Sequence, residues 1–79
     1  MEKAYVLINC DLGHEGDTLV ALRSMKSVNE AHGTFGAYDI IVEVANKDVK
    51  ELREDITWKI RKLPTIRNTL TLMAIEGQG

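Results

Sequence analysis

Residues Tyr5-Val6-Leu7-Ile8-Asn9-Cys10 are apolar at nearly every position and rich in β-branched side chains, so both alternating faces are apolar. That pattern predicts a strand covered on two sides. Gly13 to Gly16 interrupts it, and Asp17 then stands where a carboxylate caps a helix. Leu19, Leu22 and Met25 recur every third residue while Arg23 and Lys26 stay polar, which places a first helix at about 17 to 26. Val28 to Thr34 and Ala37 to Ala45 read as two extended segments, and the short join around Phe35-Gly36 makes them a hairpin. In the second segment Tyr38, Ile40, Val42 and Val44 share one face, and Asp39, Ile41, Glu43 and Ala45 the other.

A second helix carries the clearest signal. Asp48 followed by Glu51 has the form of a capping box, Val49, Leu52, Ile56, Ile60 and Leu63 make one apolar stripe, and Pro64 ends it. Arg67 to Glu76 then alternates Leu70, Leu72 and Ala74 against Thr69, Thr71, Met73 and Ile75, a last strand. The predicted order is βαββαβ. Its economical packing is α+β and ferredoxin-like, an antiparallel four-stranded sheet with both helices on one face. The other face then turns Tyr5, Leu7, Met73 and Ile75, or their alternates, toward solvent, and a second copy packed sheet to sheet would cover it.

Composition narrows the picture. A chain of 79 residues forms one domain and buries only about 60% of the surface its unfolded form exposes. Cys10 is the single cysteine, so no internal disulfide or cysteine-based zinc site reinforces the fold, and self-association is the expected source of extra stability. Ten Lys and Arg against twelve Asp and Glu give a net charge of -2, which does not suit a protein held directly on nucleic acid. No apolar stretch approaches the roughly 20 residues of a membrane span, and the Met1-Glu2-Lys3 start lacks a secretory pattern. A cytoplasmic setting is expected, and no cofactor is implied.

The pattern Val28, Ala31, Gly33, Gly36, Tyr38, Asp39, followed by Ile40-Ile41-Val42-Glu43-Val44, resembles the effector-binding (RAM) domain of the Lrp/AsnC family of transcriptional regulators. Leu63-Pro64 and Thr69-Leu70-Thr71 extend the likeness, which runs from about Tyr5 to Ile75. The resemblance implies a homodimer, often assembled further into rings, that binds small effectors, typically amino acids, between dimers. It also implies an ability to modulate transcription, with full-length regulators of the family as partners. Family members typically place a helix-turn-helix ahead of this domain. Here the domain pattern begins at once with Met1-Glu2-Lys3-Ala4, so a stand-alone, non-enzymatic sensing domain that does not read DNA itself is the expectation.

By the same likeness Gly36, Tyr38, Asp39, Thr69 and Thr71 are the candidate ligand-binding residues. The chemistry is sensible for a zwitterion: a hairpin glycine brings backbone N–H groups close, a neighbouring carboxylate answers an ammonium, and threonine hydroxyls complete the hydrogen bonding. Each residue also has a plain structural reading, as a turn glycine, a packed aromatic, a carboxylate capping local amides, or β-branched strand residues.

Two other functions fit the strand order. A small enzyme of the dimeric α/β-barrel kind would need a buried His, Arg or Asp, for which only His32 and Asp39 are in place; an ACT-type amino-acid-binding domain would use the glycine after the first strand, Gly13. Cys10-Asp11-x-x-His14-Glu15 collects metal-capable types, yet a cysteine ending an apolar strand is more often a small hydrophobe. Trp58 falls roughly 160° from the centre of the second helix's apolar stripe, where it suits an oligomer or partner contact.

Overall fold

Alternation decides which way each strand residue faces, and the central strand shows it most plainly. In β1 (Glu2–Cys10), Ala4, Val6, Ile8 and Cys10 are buried, while Tyr5, Leu7 and Asn9 on the other side are half-buried. The computed structural model describes residues 1–75. It adds α1 (Glu15–Arg23), β2 (Val28–Gly33), β3 (Ile40–Asn46), α2 (Val49–Asp55) with a π-helical continuation Ile56–Ile60, and β4 (Ile66–Met73). The strands form one antiparallel sheet in the order β2-β3-β1-β4. This is the expected βαββαβ, ferredoxin-like arrangement. Among the described residues no helix is long and apolar enough to cross a membrane.

The core lies between the sheet and the helices. Val6 and Ile8 of β1 and Ile40, Val42 and Val44 of β3 meet Leu22 of α1 and Leu52, Ile56 and Ile60 of the second helix, all essentially removed from solvent. At the far end of β3, Asn46 Nδ2 donates to Asp55 Oδ2, and the Lys59 ammonium lies 3.2 Å from Asp55 Oδ1. Asp55 is 7% exposed, and these two partners answer its charge while tying α2 to β3.

Several boundaries differ from the sequence reading, each for a local reason. The first helix starts at Glu15, not Asp17: Gly13 turns the chain at φ 84°, and the His14 N–H bonds to the Asp11 carbonyl at 3.0 Å. Asp17 thus sits inside the first turn, where its charge favours the helix N-terminus. The hairpin join is longer than Phe35-Gly36, because the Thr34 hydroxyl donates to the Tyr38 carbonyl at 2.7 Å and the Thr34 N–H to the Asp39 carbonyl at 2.8 Å. β3 therefore begins at Ile40, with Tyr38 and Asp39 in the loop.

The second helix does start as expected, with the Asp48 carboxylate accepting from the Glu51 N–H at 2.8 Å. It is not α-helical throughout. Leu52, Ile56 and Ile60 are spaced by fours, and at about 100° per residue an α-helix overshoots a full turn by roughly 40° at each step. The π segment, with the Arg61 N–H bonded to the Ile56 carbonyl at 2.9 Å, takes up that overshoot and keeps Ile60 on the sheet. The last strand runs Ile66–Met73 and not Arg67 to Glu76; Ala74 and Ile75 leave it, and Glu76 lies outside the described residues.

Pairing register sets the composition of the second sheet face. Leu7 stands between Ile41 and Leu70, and Tyr5 between Glu43 and Leu72, so the uncovered face presents Tyr5, Leu7, Ile41, Leu70 and Leu72. Met73 is opposite Ala4 and therefore turns to the helix side, so of the two alternatives for the last strand the leucines are the ones on the bare face. Glu43 lies among them, accepting from Asn29 Nδ2 at 3.0 Å and from the Tyr5 hydroxyl at 3.2 Å. The Asn29 bond holds its carboxyl below the ordinary value of 4.5, against burial, which raises it, and with lesser help from the Tyr5 bond and the Lys3 charge. A depressed carboxyl contributes stability at pH above its ordinary value and loses it as pH falls through the folded-state value. We therefore expect Glu43→Gln to destabilise the fold at about pH 7 and to narrow its gap from the parent as urea melts are taken down through about pH 4; an undiminished gap at low pH would count against this assignment.

Candidate functional site

The loop from Thr34 to Asp39 is held by bonds from Thr34 to Tyr38 and Asp39 and by two links between Asp39 and β1. Gly36, at φ 127°, sits in the region that L side chains rarely enter, so the turn requires glycine there. Asp39 is fixed twice: its N–H donates to the Ile8 carbonyl at 2.9 Å, and its Oδ2 accepts from the Cys10 N–H at 3.0 Å. The second bond lands where the β1–β4 register shifts between Asn9 and Cys10. It supplies a partner for an amide at this irregularity in the pairing. Asp39 Oδ1 has no hydrogen-bond partner among the described residues, so half of the carboxylate remains available.

Thr69 and Thr71 come from the other side of β1. Ile8 is paired with both Ile40 and Thr69, which sets the start of β3 and Thr69 two strand spacings apart, roughly 10 Å. Val6 pairs with Thr71 one step further along. The fold thus gathers Asp39 and Thr69 at one end of the sheet while keeping β1 between them. Gly36 is exposed in the loop, Tyr38 is half-buried, and Thr71 is exposed on the helix side of β4.

Beside the two threonines lie clefts that the sequence reading did not anticipate. One of about 280 Å³ is lined by Arg53, Ile56, Thr57, Arg61, Thr71 and Met73, and a second of about 260 Å³ by Arg61, Ile66, Arg67, Asn68 and Thr69. They exist because α1 packs over β2 and β3 and α2 over β3 and β1, leaving the helix side of β4 open. Met73 is 38% exposed there. The signal available in the sequence was the spacing of Arg53, Thr57 and Arg61 by fours along one flank of the apolar stripe.

The other candidates resolve simply. Cys10 is buried beneath α1, and burial raises its thiol pKa, partly offset by the hydrogen bond with Thr18 and reinforced by Asp39, Glu15 and Asp11. A thiol so placed is a poor nucleophile. Thr18 itself is buried, with its hydroxyl 2.7 Å from the His14 carbonyl and 2.6 Å from Thr65 Oγ1. Exposed His14 faces Asp17 at 3.5 Å and exposed His32 faces Glu30 at 3.7 Å. Among the described residues no three His, Cys, Asp or Glu side chains stand together as a metal site. Trp58 is 63% exposed with the Lys62 ammonium 5.2 Å from its ring centre, a cation–π contact on the outer side of the π segment.

Comparison with known proteins agrees with this fold. The sequence model of the Lrp/AsnC ligand binding domain matches residues 3–77. A proline dehydrogenase transcriptional activator of Rhizobium radiobacter is 34% identical over 57 residues, which is 72% of this chain and 36% of that protein. The chain thus spans about a third of that relative's length. The crystal structure of FFRP-DM1 superposes with a TM-score of 0.92 at 40% identity, covering 95% of this chain and all of the other. The transcriptional regulator NMB0573 of Neisseria meningitidis, solved as a complex with L-Met, has the same fold at 9% identity, with a TM-score of 0.87 over 99% of this chain and 52% of its own.

The anchoring of Asp39 generates a specific expectation. Asp39→Ala removes the acceptor for the Cys10 amide and should lower unfolding free energy by about 1 to 2 kcal/mol, a charge-assisted bond discounted for partial exposure. Hydrogen exchange at the Cys10 amide should accelerate with it, whereas Asp39→Asn, which keeps an acceptor, should protect that amide nearly as well. Equal exchange in all three proteins would show that the bond does not form.

Proposed function

The chain belongs to the family of Lrp/AsnC ligand binding domains, and from that premise we propose that it is an amino-acid-sensing and oligomerisation module that modulates transcriptional regulators in the cytoplasm. The observation that carries this reading is the convergence of Asp39 and Thr69 on the same end of the sheet, with open clefts alongside Thr69 and Thr71. Asp39 Oδ1 is the acceptor for a ligand ammonium, and the threonine hydroxyls serve the carboxylate end. Gly36 and Tyr38 complete the site from the loop.

The backbone at the start of β3, beside Asp39, and that at Thr69 stand roughly 10 Å apart with β1 between them. Tyr5, Leu7, Ile41, Leu70 and Leu72 give the reason to assemble: a contiguous apolar sheet face is covered by the same face of a second copy. That face equally suits pairing with a full-length regulator of the family. Support for an amino acid as the ligand comes from the L-Met bound to NMB0573, and for a role in transcription from the activator named among the relatives. The family is regulatory, and the raised Cys10 thiol pKa fits a role without catalysis.

The test is a thermal-shift screen of the twenty amino acids against the purified chain. A ligand at about 100 times its dissociation constant adds roughly 2.7 kcal/mol of stability, enough to move the melting temperature by several degrees. One amino acid or a chemically related set should do so, and Asp39→Asn should weaken that ligand by roughly 1.5 to 3 kcal/mol. A flat screen would refute the sensing role.

A further inference from the structure

The open side of β4 carries a concentration of positive charge that the fold itself does not use. Arg53, Arg61 and Arg67 line the two clefts, and Arg61 is common to both. Among the described residues none of the three guanidiniums has an ionic or hydrogen-bonding partner, and no carboxylate lines either cleft. Arg23 shows the contrast, because its Nε and Nη2 both donate to the Ala31 carbonyl, at 3.1 and 2.7 Å, and so hold α1 to β2. The cluster is not a by-product of a basic chain either, since acidic residues outnumber basic ones by 12 to 10.

The rest of the lining is equally specific in kind. Thr57, Thr69 and Thr71 supply hydroxyls, and Ile56, Ile66 and Met73 supply an apolar floor. A guanidinium fork matches a carboxylate with two parallel hydrogen bonds, and it stays charged at every physiological pH. Three such forks around two clefts that share Arg61 suit a ligand with more than one anionic group. A neutral amino acid would bring one carboxylate together with an ammonium that the same three cations repel. A short dicarboxylate would place one group in each cleft, with Arg61 between them and its methylene chain on Ile56 and Met73.

We propose that the trough between the π segment and β4 binds a dicarboxylate, and that the effector of this chain is an acidic amino acid, L-aspartate or L-glutamate. The inference rests on the amino-acid-sensing reading, which it narrows. In this arrangement Arg61 and Arg53 determine specificity, and the ligand ammonium points out of the trough, away from the arginines.

The experiment is titration calorimetry on the full chain with L-glutamate, L-aspartate, their amides L-glutamine and L-asparagine, and glutarate, which keeps both carboxylates and lacks the ammonium. One acidic amino acid should bind at least about tenfold more tightly than its amide, the loss expected when a charge-assisted pair is replaced by a neutral contact. Arg61→Gln and Arg53→Gln, both at positions without a structural partner among the described residues, should keep the parent melting temperature and cut that affinity at least about tenfold. If an amide or another amino acid binds as tightly as the acidic ones, the trough assignment falls and amino-acid sensing stands. If glutarate binds and no amino acid does, the trough takes dicarboxylates, but the acidic-amino-acid assignment is overturned together with the sensing reading. If no probe binds, or if both arginine variants bind L-glutamate and L-aspartate as the parent does, the assignment is overturned.

Discussion

Everything in this small domain follows from a central strand that is apolar on both faces and from helices that can cover only one of them. β1 is hydrogen-bonded on both edges, to β3 and β4, and so cannot turn either face away. Its Ala4, Val6, Ile8 and Cys10 side is closed by the two helices, and its Tyr5 and Leu7 side is not. Among the described residues no further layer covers that side, and Cys10, the single cysteine, has no second thiol to pair with. We propose that another molecule covers the second face, while Thr69, Thr71 and the clefts beside them stay on the helix side of β4.

The same shortage of cover explains the edge. Two helices laid over β2, β3 and β1 leave the helix side of β4 open, so Thr69, Thr71 and Met73 face a trough where a larger protein would place more core. The π segment shapes the other wall. By holding Ile56 and Ile60 on the sheet it fixes the flank that carries Arg53, Thr57 and Arg61, so a packing requirement in the core sets where the cations stand outside it. Packing and recognition are thus linked through one local change of helix geometry.

The sequence was most informative where burial is strict. The alternation in β1 and β3, the stripe of Leu52, Ile56 and Ile60, and the Asp48 cap were legible because each reflects a local rule that no tertiary contact overrides. Legibility failed where distant bonds decide. The loop from Thr34 to Asp39 is lengthened by hydrogen bonds from Thr34 to Tyr38 and Asp39 and from Asp39 to Ile8, and nothing in a strand propensity announces them. Which half of β4 faces out depends on register with β1, so Leu70 and Leu72 could not be told from Met73 in advance. The candidate residues Gly36, Tyr38, Asp39, Thr69 and Thr71 came from family likeness, and the arginine trough was hidden because only the sheet order shows that β4 is an uncovered edge.

The claim on which the account depends most is that the Tyr5 and Leu7 face is closed by another molecule. Sedimentation equilibrium of the purified chain, alongside Leu7→Asp, measures this directly. A dimer or larger assembly is expected at micromolar concentration, with Leu7→Asp shifted toward monomer and less thermally stable, because a charge is then placed at the centre of the contact. A parent chain that sediments as a folded monomer at that concentration, as stable as its Leu7→Asp variant, would contradict it.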